Sequence, residues 1–86
     1  MRLDKFLKVS RIIKRRTIAK NVSDLGFIKI NDRIAKPSNE VKVGDVLELS
    51  LGERLLKVKI TNITNKTTKE AASEMFEIIS ETTREI

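Results

Sequence analysis

Hydrophobic residues recur at helical spacing in the first part of the chain. An apolar face within residues 3–9 predicts a short amphipathic helix, formed by Leu3, Phe6 and Leu7. A second helix is predicted from about Lys14 to Leu25, because Gly26 then supplies a residue that ends a helix at low cost. The residues expected to form the buried stripe of this second helix are Ile18, Ala19, Val22 and Leu25.

The middle of the chain alternates apolar and polar residues over short runs, as half-buried strands do. The predicted strands are residues 27–30, 33–35, 46–51 and 55–63. Asn31-Asp32 separates the first two strands and predicts a tight hairpin, since both residue types tolerate positive φ. Val43-Gly44-Asp45 predicts a further turn before the third strand.

The last part of the chain predicts a third helix that begins at Glu70, where a carboxylate favours the helix N terminus. Its apolar face would be formed by Ala71, Ala72, Met75, Phe76 and Ile79. We expect this face to pack on the sheet, although such a face can also bind a protein partner, and we expect residues after Ser80 to fray. The chain therefore predicts one α+β domain over residues 1–86, in which two N-terminal helices pack on a small, mostly antiparallel β-sheet and a C-terminal helix follows.

The composition excludes several kinds of chemistry. The 86 residues include no Cys and no His, which excludes disulfides and thiolate metal sites and removes the most common general base. No pair of carboxylates stands out, so we expect neither an enzyme nor a metal or cofactor site. No stretch resembles a signal peptide or approaches the roughly 20 apolar residues that span a bilayer. We therefore expect a cytoplasmic protein that does not contact a membrane.

Positive charge is concentrated in the first 36 residues. These hold eleven basic and three acidic residues, whereas residues 37–86 hold seven and nine, within a net charge of +6. Such asymmetry favours a polyanionic partner such as RNA, although a solvated basic surface is the alternative. The three Phe residues fall in apolar patterns, which leaves few rings for stacking on bases. We therefore expect recognition of folded RNA through phosphate, sugar and shape.

Four short motifs follow one another in the first half of the chain. They are Arg16-Thr17-x-Ala19-Lys20-x-Val22, Gly26-x-Ile28-x-Ile30-Asn31, Lys36-Pro37-Ser38 and Val43-Gly44-Asp45. Together, over about Arg2 to Leu51, they resemble the RNA-binding domain family named after ribosomal small-subunit protein four. The opening residues 1–7 look like the free-standing members of that family, which include ribosome-associated quality-control factors and the fifteen-kilodalton heat shock proteins. Asp32 departs from the family pattern, which often has Gly after Asn, and adds a negative charge to the hairpin.

The resemblance implies a non-catalytic factor of ribosome-associated quality control. It would bind large-subunit ribosomal RNA and peptidyl-tRNA on obstructed large ribosomal subunits, and act there as a monomer. It would stabilise the tRNA while a tailing factor on the same subunit adds alanine residues to the stalled chain. The alternatives are a rescue or recycling factor for obstructed subunits and a general rRNA-binding or assembly factor. A basic protein-interaction or membrane-surface module is a further alternative, but the second helix needs its apolar stripe for the core.

The predicted RNA-binding side chains combine the basic run with the RNA face that the resemblance implies. They are Arg2, Lys5, Arg11, Lys14, Arg15, Arg16, Lys20, Asn31 and Lys36. Arg16 is the strongest single prediction, because a planar guanidinium can bind phosphate through two hydrogen bonds. Lys20 lies four residues further on and would share its exposed face.

Four of these interpretations have structural alternatives. Arg2 lies beside the amino terminus and could stay mobile instead of contacting RNA. Arg16 could instead pair with Asp4 or Asp24 on the surface. Asp4 either orients Arg2 or Arg16, or is simply a carboxylate favoured near a helix N terminus. Asn31 either binds RNA or forms hydrogen bonds within its own turn.

Overall fold

The structure places three helices and five strands within the residues that it describes, which are 1–66 and 68–83 of this computed structural model. The helices are α1 (Leu3–Val9), α2 (Arg16–Asp24) and α3 (Lys69–Ser73). The strands are β1 (Ile28–Ile30), β2 (Arg33–Ile34), β3 (Val46–Leu51), β4 (Arg54–Ile60) and β5 (Phe76–Thr83). They form one antiparallel sheet in the order β2-β1-β3-β4-β5. The predicted α+β class, with two N-terminal helices and a small antiparallel sheet, is confirmed.

The core lies between α1 and one face of the sheet. The predicted apolar face of α1 is confirmed, since Leu3, Phe6 and Leu7 are fully buried. They belong to one cluster with the sheet residues Ile28, Leu47, Leu49, Val58 and Ile60. Burying each such side chain contributes about 1.5–3 kcal/mol to folding. This packing fixes the orientation of α1 and therefore the positions of the charged residues along its outer side.

The longest helix, α2, has nine residues, and no helix in the described ranges is long and apolar enough to cross a membrane. Its predicted buried stripe is only partly right. Ala19 is buried, but Ile18 and Leu25 are 47% and 67% exposed. The buried face runs through Ala19 and Ser23, and the predicted Val22 is half-buried against the core. The Ser23 hydroxyl donates to the Ala19 carbonyl at 2.7 Å. Ala19 and Ser23 lie four residues apart and therefore share the buried face of α2, while Ile18 and Leu25 face solvent.

The hairpin between β1 and β2 has the predicted turn. Asn31 and Asp32 have φ values of 50° and 68°, and the register pairs Ile30 with Arg33. Positive φ at both central residues is typical of a type I′ turn, whose twist matches that of the strands. The turn before β3 is also confirmed, because a carboxylate oxygen of Asp45 accepts a hydrogen bond from the Lys42 backbone N–H at 2.9 Å.

The predicted C-terminal helix is wrong beyond its first turns. Helix α3 ends at Ser73, and β5 pairs antiparallel with β4 from Phe76 opposite Ile60 to Thr83 opposite Arg54. Met75 and Ala72 are buried as predicted, but Ile79 is 50% exposed. Fraying after Ser80 is also not observed up to Thr83, and residues 84–86 lie outside the described part.

The sequence of β5 explains this correction. It contains Phe, two Ile and two Thr, the aromatic and β-branched types that pack well in strands. Apolar runs this short fit helical and extended periodicity almost equally well. The backbone edge of β4 decides between them, because β5 pairs with it from Arg54 to Ile60, with one irregularity between Lys57 and Val58, and so satisfies backbone N–H and C=O groups.

Candidate nucleic-acid interface

Asp4 is a buried carboxylate that holds two arginines. Its side chain is 3% exposed, and it lies 3.3 Å from Arg2 Nε through Oδ1 and 3.5 Å from Arg16 Nε through Oδ2. Oδ1 also accepts a hydrogen bond from the Lys5 backbone N–H at 2.8 Å. A carboxylate removed from water needs such partners, because an unpaired buried charge is strongly destabilising. Asp4 therefore contacts both arginines. The ion pair of Arg16 with Asp4, which the sequence offered as the structural alternative for Arg16, is present.

The two arginines keep about half of their side-chain surface in solvent, 50% for Arg2 and 46% for Arg16. The contact of Arg16 with Asp4 uses Nε, so both terminal nitrogens of its guanidinium remain able to donate elsewhere. Arg16 is the first residue of α2, and Arg2 immediately precedes α1. We call this arrangement of Arg2, Asp4 and Arg16 the arginine clamp.

The backbone around Arg2 is fixed by a distant part of the chain. The Leu3 N–H donates to the Asn39 carbonyl at 2.7 Å, and the Val41 N–H donates to the Met1 carbonyl at 3.0 Å. Arg2 itself forms an isolated antiparallel bridge with Glu40. The N-terminal residues are therefore part of the fold, and Arg2 projects from a fixed backbone.

The arginine clamp opens into a surface cavity of about 320 Å³. Its lining residues are Arg2, Asp4, Arg16, Thr17 and Lys20. Arg16 and Lys20 share this face, as their spacing predicts. Three cations surround one carboxylate, which leaves the cavity positively charged and suited to an anion.

A second basic cavity lies at the other end of α1. It has a volume of about 330 Å³ and is lined by Lys8, Val9, Arg11 and Lys14. Arg11 has φ of 62°, in the left-handed region. This cavity shares no lining residue with the arginine clamp.

Three other predicted cations line neither cavity. Arg15 is the exposed N-cap residue of α2, and Lys5 is half-buried on α1. Lys36 is exposed in a turn, where its backbone N–H donates to the Asn39 side chain at 2.6 Å. These residues add positive charge around the two cavities without joining either one.

Asn31 forms hydrogen bonds within its own part of the fold. Its side-chain amide donates to Asp45 Oδ1 at 3.1 Å and accepts from the Val46 N–H at 2.9 Å. These contacts join the β1–β2 turn to the start of β3. They support the local backbone role, one of the two interpretations that the sequence left open.

Comparison with known proteins identifies the family. Residues 1–47 match the S4 domain, which is more than half of the chain. The chain belongs to the S4 domain family. The S4 match covers α1, α2, β1, β2 and the first two residues of β3, and therefore includes both basic cavities.

Relatives of this S4 protein match along almost its whole length. The chain is 57% identical over 82 residues to the "RQC P-site tRNA stabilizing factor" of Streptococcus pneumoniae, covering 95% of this chain and 93% of that protein. It is 52% identical over 81 residues to the Bacillus subtilis protein of the same name, covering 94% of each. A "Heat shock protein 15 homolog" of Haemophilus influenzae is 36% identical over 66 residues, covering 77% of this chain and half of that protein.

Solved structures share the S4 fold observed here. The trimeric structure of Vibrio cholerae heat shock protein 15 has a TM-score of 0.85 at 28% identity, covering 93% of this chain and 82% of that one. The solution structure of the hypothetical protein HP1423 has a TM-score of 0.78 at 28% identity, covering 93% and 98%. Both cover the segment that contains β5, which extends the similarity beyond residues 1–47.

Two polar residues that line the basic cavities are absent from the site residues predicted from sequence. Thr17 lines the arginine clamp cavity, and Lys8 lines the second cavity. Thr17 follows Arg16 directly in the first family motif, so its position was a usable signal. Lys8 lies on the polar side of α1, and its proximity to Arg11 and Lys14 depends on the left-handed backbone at the helix end.

Proposed function

We propose that this protein is a non-catalytic RNA-binding factor that stabilises tRNA on obstructed large ribosomal subunits. It binds peptidyl-tRNA and large-subunit ribosomal RNA, and it keeps the tRNA in place while a tailing factor extends the stalled chain with alanine. The observation that carries this proposal is the arginine clamp within an S4 domain whose near-full-length relatives bear the name of P-site tRNA stabilizing factors.

The chemistry of the clamp favours phosphate as its ligand. Each guanidinium presents planar N–H donors that match phosphate oxygens, and hydrogen bonds between charged groups are about twice as strong as neutral ones. Asp4 fixes the direction of both arginines before RNA arrives, so less side-chain freedom is lost on binding. Lys20 adds a further positive charge to the same cavity.

The state of Asp4 favours binding over acid–base catalysis. Among the described residues that line the clamp cavity, Asp4 alone is acidic, and its oxygens already contact two guanidiniums and one backbone N–H. A general base needs access to the proton that it removes. The clamp is therefore suited to RNA binding and not to proton transfer.

The test is co-sedimentation with purified large ribosomal subunits, with and without bound peptidyl-tRNA, at low and high salt. We expect the wild type to bind obstructed subunits in a salt-sensitive way, and Arg16→Ala to lower the affinity about tenfold or more. Lys66→Ala is the matched control, because it removes one exposed positive charge outside both cavities. Equal binding by wild type and Arg16→Ala would contradict the assignment of the clamp.

Similarity to heat shock protein 15 supports one alternative function, the rescue of obstructed subunits. The two functions differ in what happens to the tRNA after binding. In a reconstituted tailing reaction, a stabilising factor increases alanine addition and retains tRNA on the subunit. A rescue factor instead increases release of peptidyl-tRNA from the subunit.

A further inference from the structure

The two edges of the sheet differ greatly in length. Strand β2 has only two residues, Arg33 and Ile34, whereas β5 has eight, from Phe76 to Thr83. A short edge strand offers little backbone for pairing, but a long one presents a row of unpaired N–H and C=O groups. Within the described part of the chain, no strand pairs with the outer side of β5, and every residue after Phe76 is exposed. This edge is therefore open to a further strand.

The backbone groups of Ile78 point out of this edge. Just before β5, the Thr61 N–H donates to the Met75 carbonyl at 2.9 Å. Residues of an antiparallel pair alternate between those that bond the neighbouring strand and those that bond outwards. The backbone of Glu77 therefore bonds β4, and the N–H and C=O of Ile78 face away from the sheet. Ile79 has no register partner on β4, so β5 bulges there and a partner strand must follow a twisted edge.

Two isoleucines of β5 remain half in solvent. Ile78 lies opposite Val58, which is fully buried, yet Ile78 itself is 53% exposed. Its neighbour Ile79 is 50% exposed. Residues that pair across two strands share one face of the sheet, so Ile78 continues the core face beyond the area that other side chains cover. A strand added beside β5 would therefore bury apolar surface as well as satisfy backbone groups.

The C-terminal part of this basic protein is acidic. Residues 70–83 contain four acidic residues and no basic one, in a chain of net charge +6. Glu81 pairs with Arg54, whereas Glu77 is exposed and forms no ion pair within residues 1–66 and 68–83. Negative charge repels the phosphates of RNA, and like charges directly opposite each other destabilise paired strands. A second copy paired antiparallel through β5 would place the carboxylates of both copies side by side.

We propose that β5 is a docking edge for an extended, Lys- or Arg-rich segment of a protein partner, which joins the five-stranded sheet as a sixth strand. Strand addition draws its affinity from main-chain hydrogen bonds and its specificity from side chains. Ile78 and Ile79 supply the apolar contact. Glu77 and Glu81 attract a basic strand and disfavour an acidic one. The edge shares no residue with the arginine clamp, so this inference does not depend on the proposed function.

The test is a titration of the full chain with synthetic peptides of eight residues, the length of β5, followed by amide NMR shifts. The probe alternates Lys with Val. One control peptide alternates Glu with Val, and the other is the Lys–Val peptide methylated on every backbone nitrogen. We expect the probe to bind saturably and shift the amides of residues 76–83, and each control to bind there at least about tenfold more weakly. Absence of saturable binding by the probe, or shifts confined to other residues, would overturn the proposal.

Variants of the chain separate backbone pairing from charge. Ile78→Pro removes the outward N–H, and proline is accepted on edge strands where the N–H faces solvent. We expect it to lower the affinity for the Lys–Val peptide at least about tenfold, whereas Ile78→Thr, which keeps the N–H, retains more of the affinity. Glu77→Gln should lower the affinity about two- to fivefold. Asp24→Asn is its matched control, because it removes one exposed carboxylate from α2, and it should bind like the wild type.

The remaining outcomes identify other occupants of the edge. The melting temperature of each variant reports its folding, and the methylated peptide tests backbone pairing on the unchanged protein. A folded Ile78→Pro protein that binds the probe like the wild type would overturn pairing along β5. Sedimentation equilibrium of the chain alone should show a monomer. A dimer whose β5 amides shift with protein concentration would assign the edge to a second copy and overturn the proposal.

Discussion

Two ion-pair sites in different parts of this molecule use the same chemistry in different surroundings. In the arginine clamp, the Asp4 side chain is 3% exposed, whereas Glu81, which pairs with Arg54 across β4 and β5, is 40% exposed. The arginines themselves are similar, with about half of each side chain in solvent. The difference lies in the carboxylate, because a buried one depends on its cations while an exposed one is solvated by water.

This difference indicates what each region contributes. The N-terminal region presents guanidiniums in fixed directions and forms the surface that we propose binds RNA. The C-terminal strand β5 completes the sheet beside β4, and its surface ion pair contributes about 0–1 kcal/mol. The basic surface therefore lies in the N-terminal region, whereas β5 completes one edge of the sheet, and mutations can separate these two contributions.

The largest expected effect concerns stability alone. Met75, which lies between α3 and β5, is fully buried, so Met75→Ala should lower the free energy of unfolding by about 2–5 kcal/mol. The measurement is urea unfolding followed by circular dichroism. Affinity of the folded variant for obstructed subunits, measured at low temperature, should equal that of the wild type. Loss of binding by a folded Met75→Ala protein would show that the C-terminal region takes part in the site.

The next prediction tests whether RNA affinity depends on the fixed positions of the two arginines or only on net charge. Asp4→Asn keeps the shape of the side chain but removes the charge that holds Arg2 and Arg16. We expect a loss of about 1–3 kcal/mol in unfolding free energy and a clear fall in RNA affinity. If net charge alone determined binding, Asp4→Asn would instead raise the RNA affinity, because the variant is more positive by one unit.

Glu81→Gln is the matched control for Asp4→Asn. It makes the same chemical change at the exposed ion pair with Arg54. Its unfolding free energy should change by less than about 1 kcal/mol, and its RNA affinity should stay at the wild-type value. Similar losses in both variants would mean that burial of Asp4 has no special consequence.

The smallest expected effect concerns the hairpin tip. Asp32 has φ of 68°, and Asp32→Gly should stabilise the turn by up to about 1 kcal/mol, since Gly adopts this conformation without strain. Asp32→Asn is the control, because it removes the charge and retains a side chain that tolerates the turn. The melting temperature measures the stability that Asp32→Gly gains from the relieved backbone conformation. Any gain in RNA affinity that both variants share would report removal of the negative charge.

Local sequence was enough to predict much of the N-terminal part of the fold. The spacing of Leu3, Phe6 and Leu7 predicts α1, and the residue types of Asn31 and Asp32 predict the type of turn between β1 and β2. Both features depend on periodicity or on the φ preferences of single residues. The excess of cations in residues 1–36 is likewise a property of the sequence alone.

Tertiary contacts decided the features that the sequence left open or predicted wrongly. Residues 76–83 form a strand because β4 offers an edge with which they pair. Helix α2 buries Ala19 and Ser23 and leaves Ile18 and Leu25 in solvent. Asp4 holds both Arg2 and Arg16 only because α1 and α2 meet at these residues. Sequence determines which side chains and local conformations are available. Packing decides which of them become buried together, because burial depends on contacts between residues far apart in the chain.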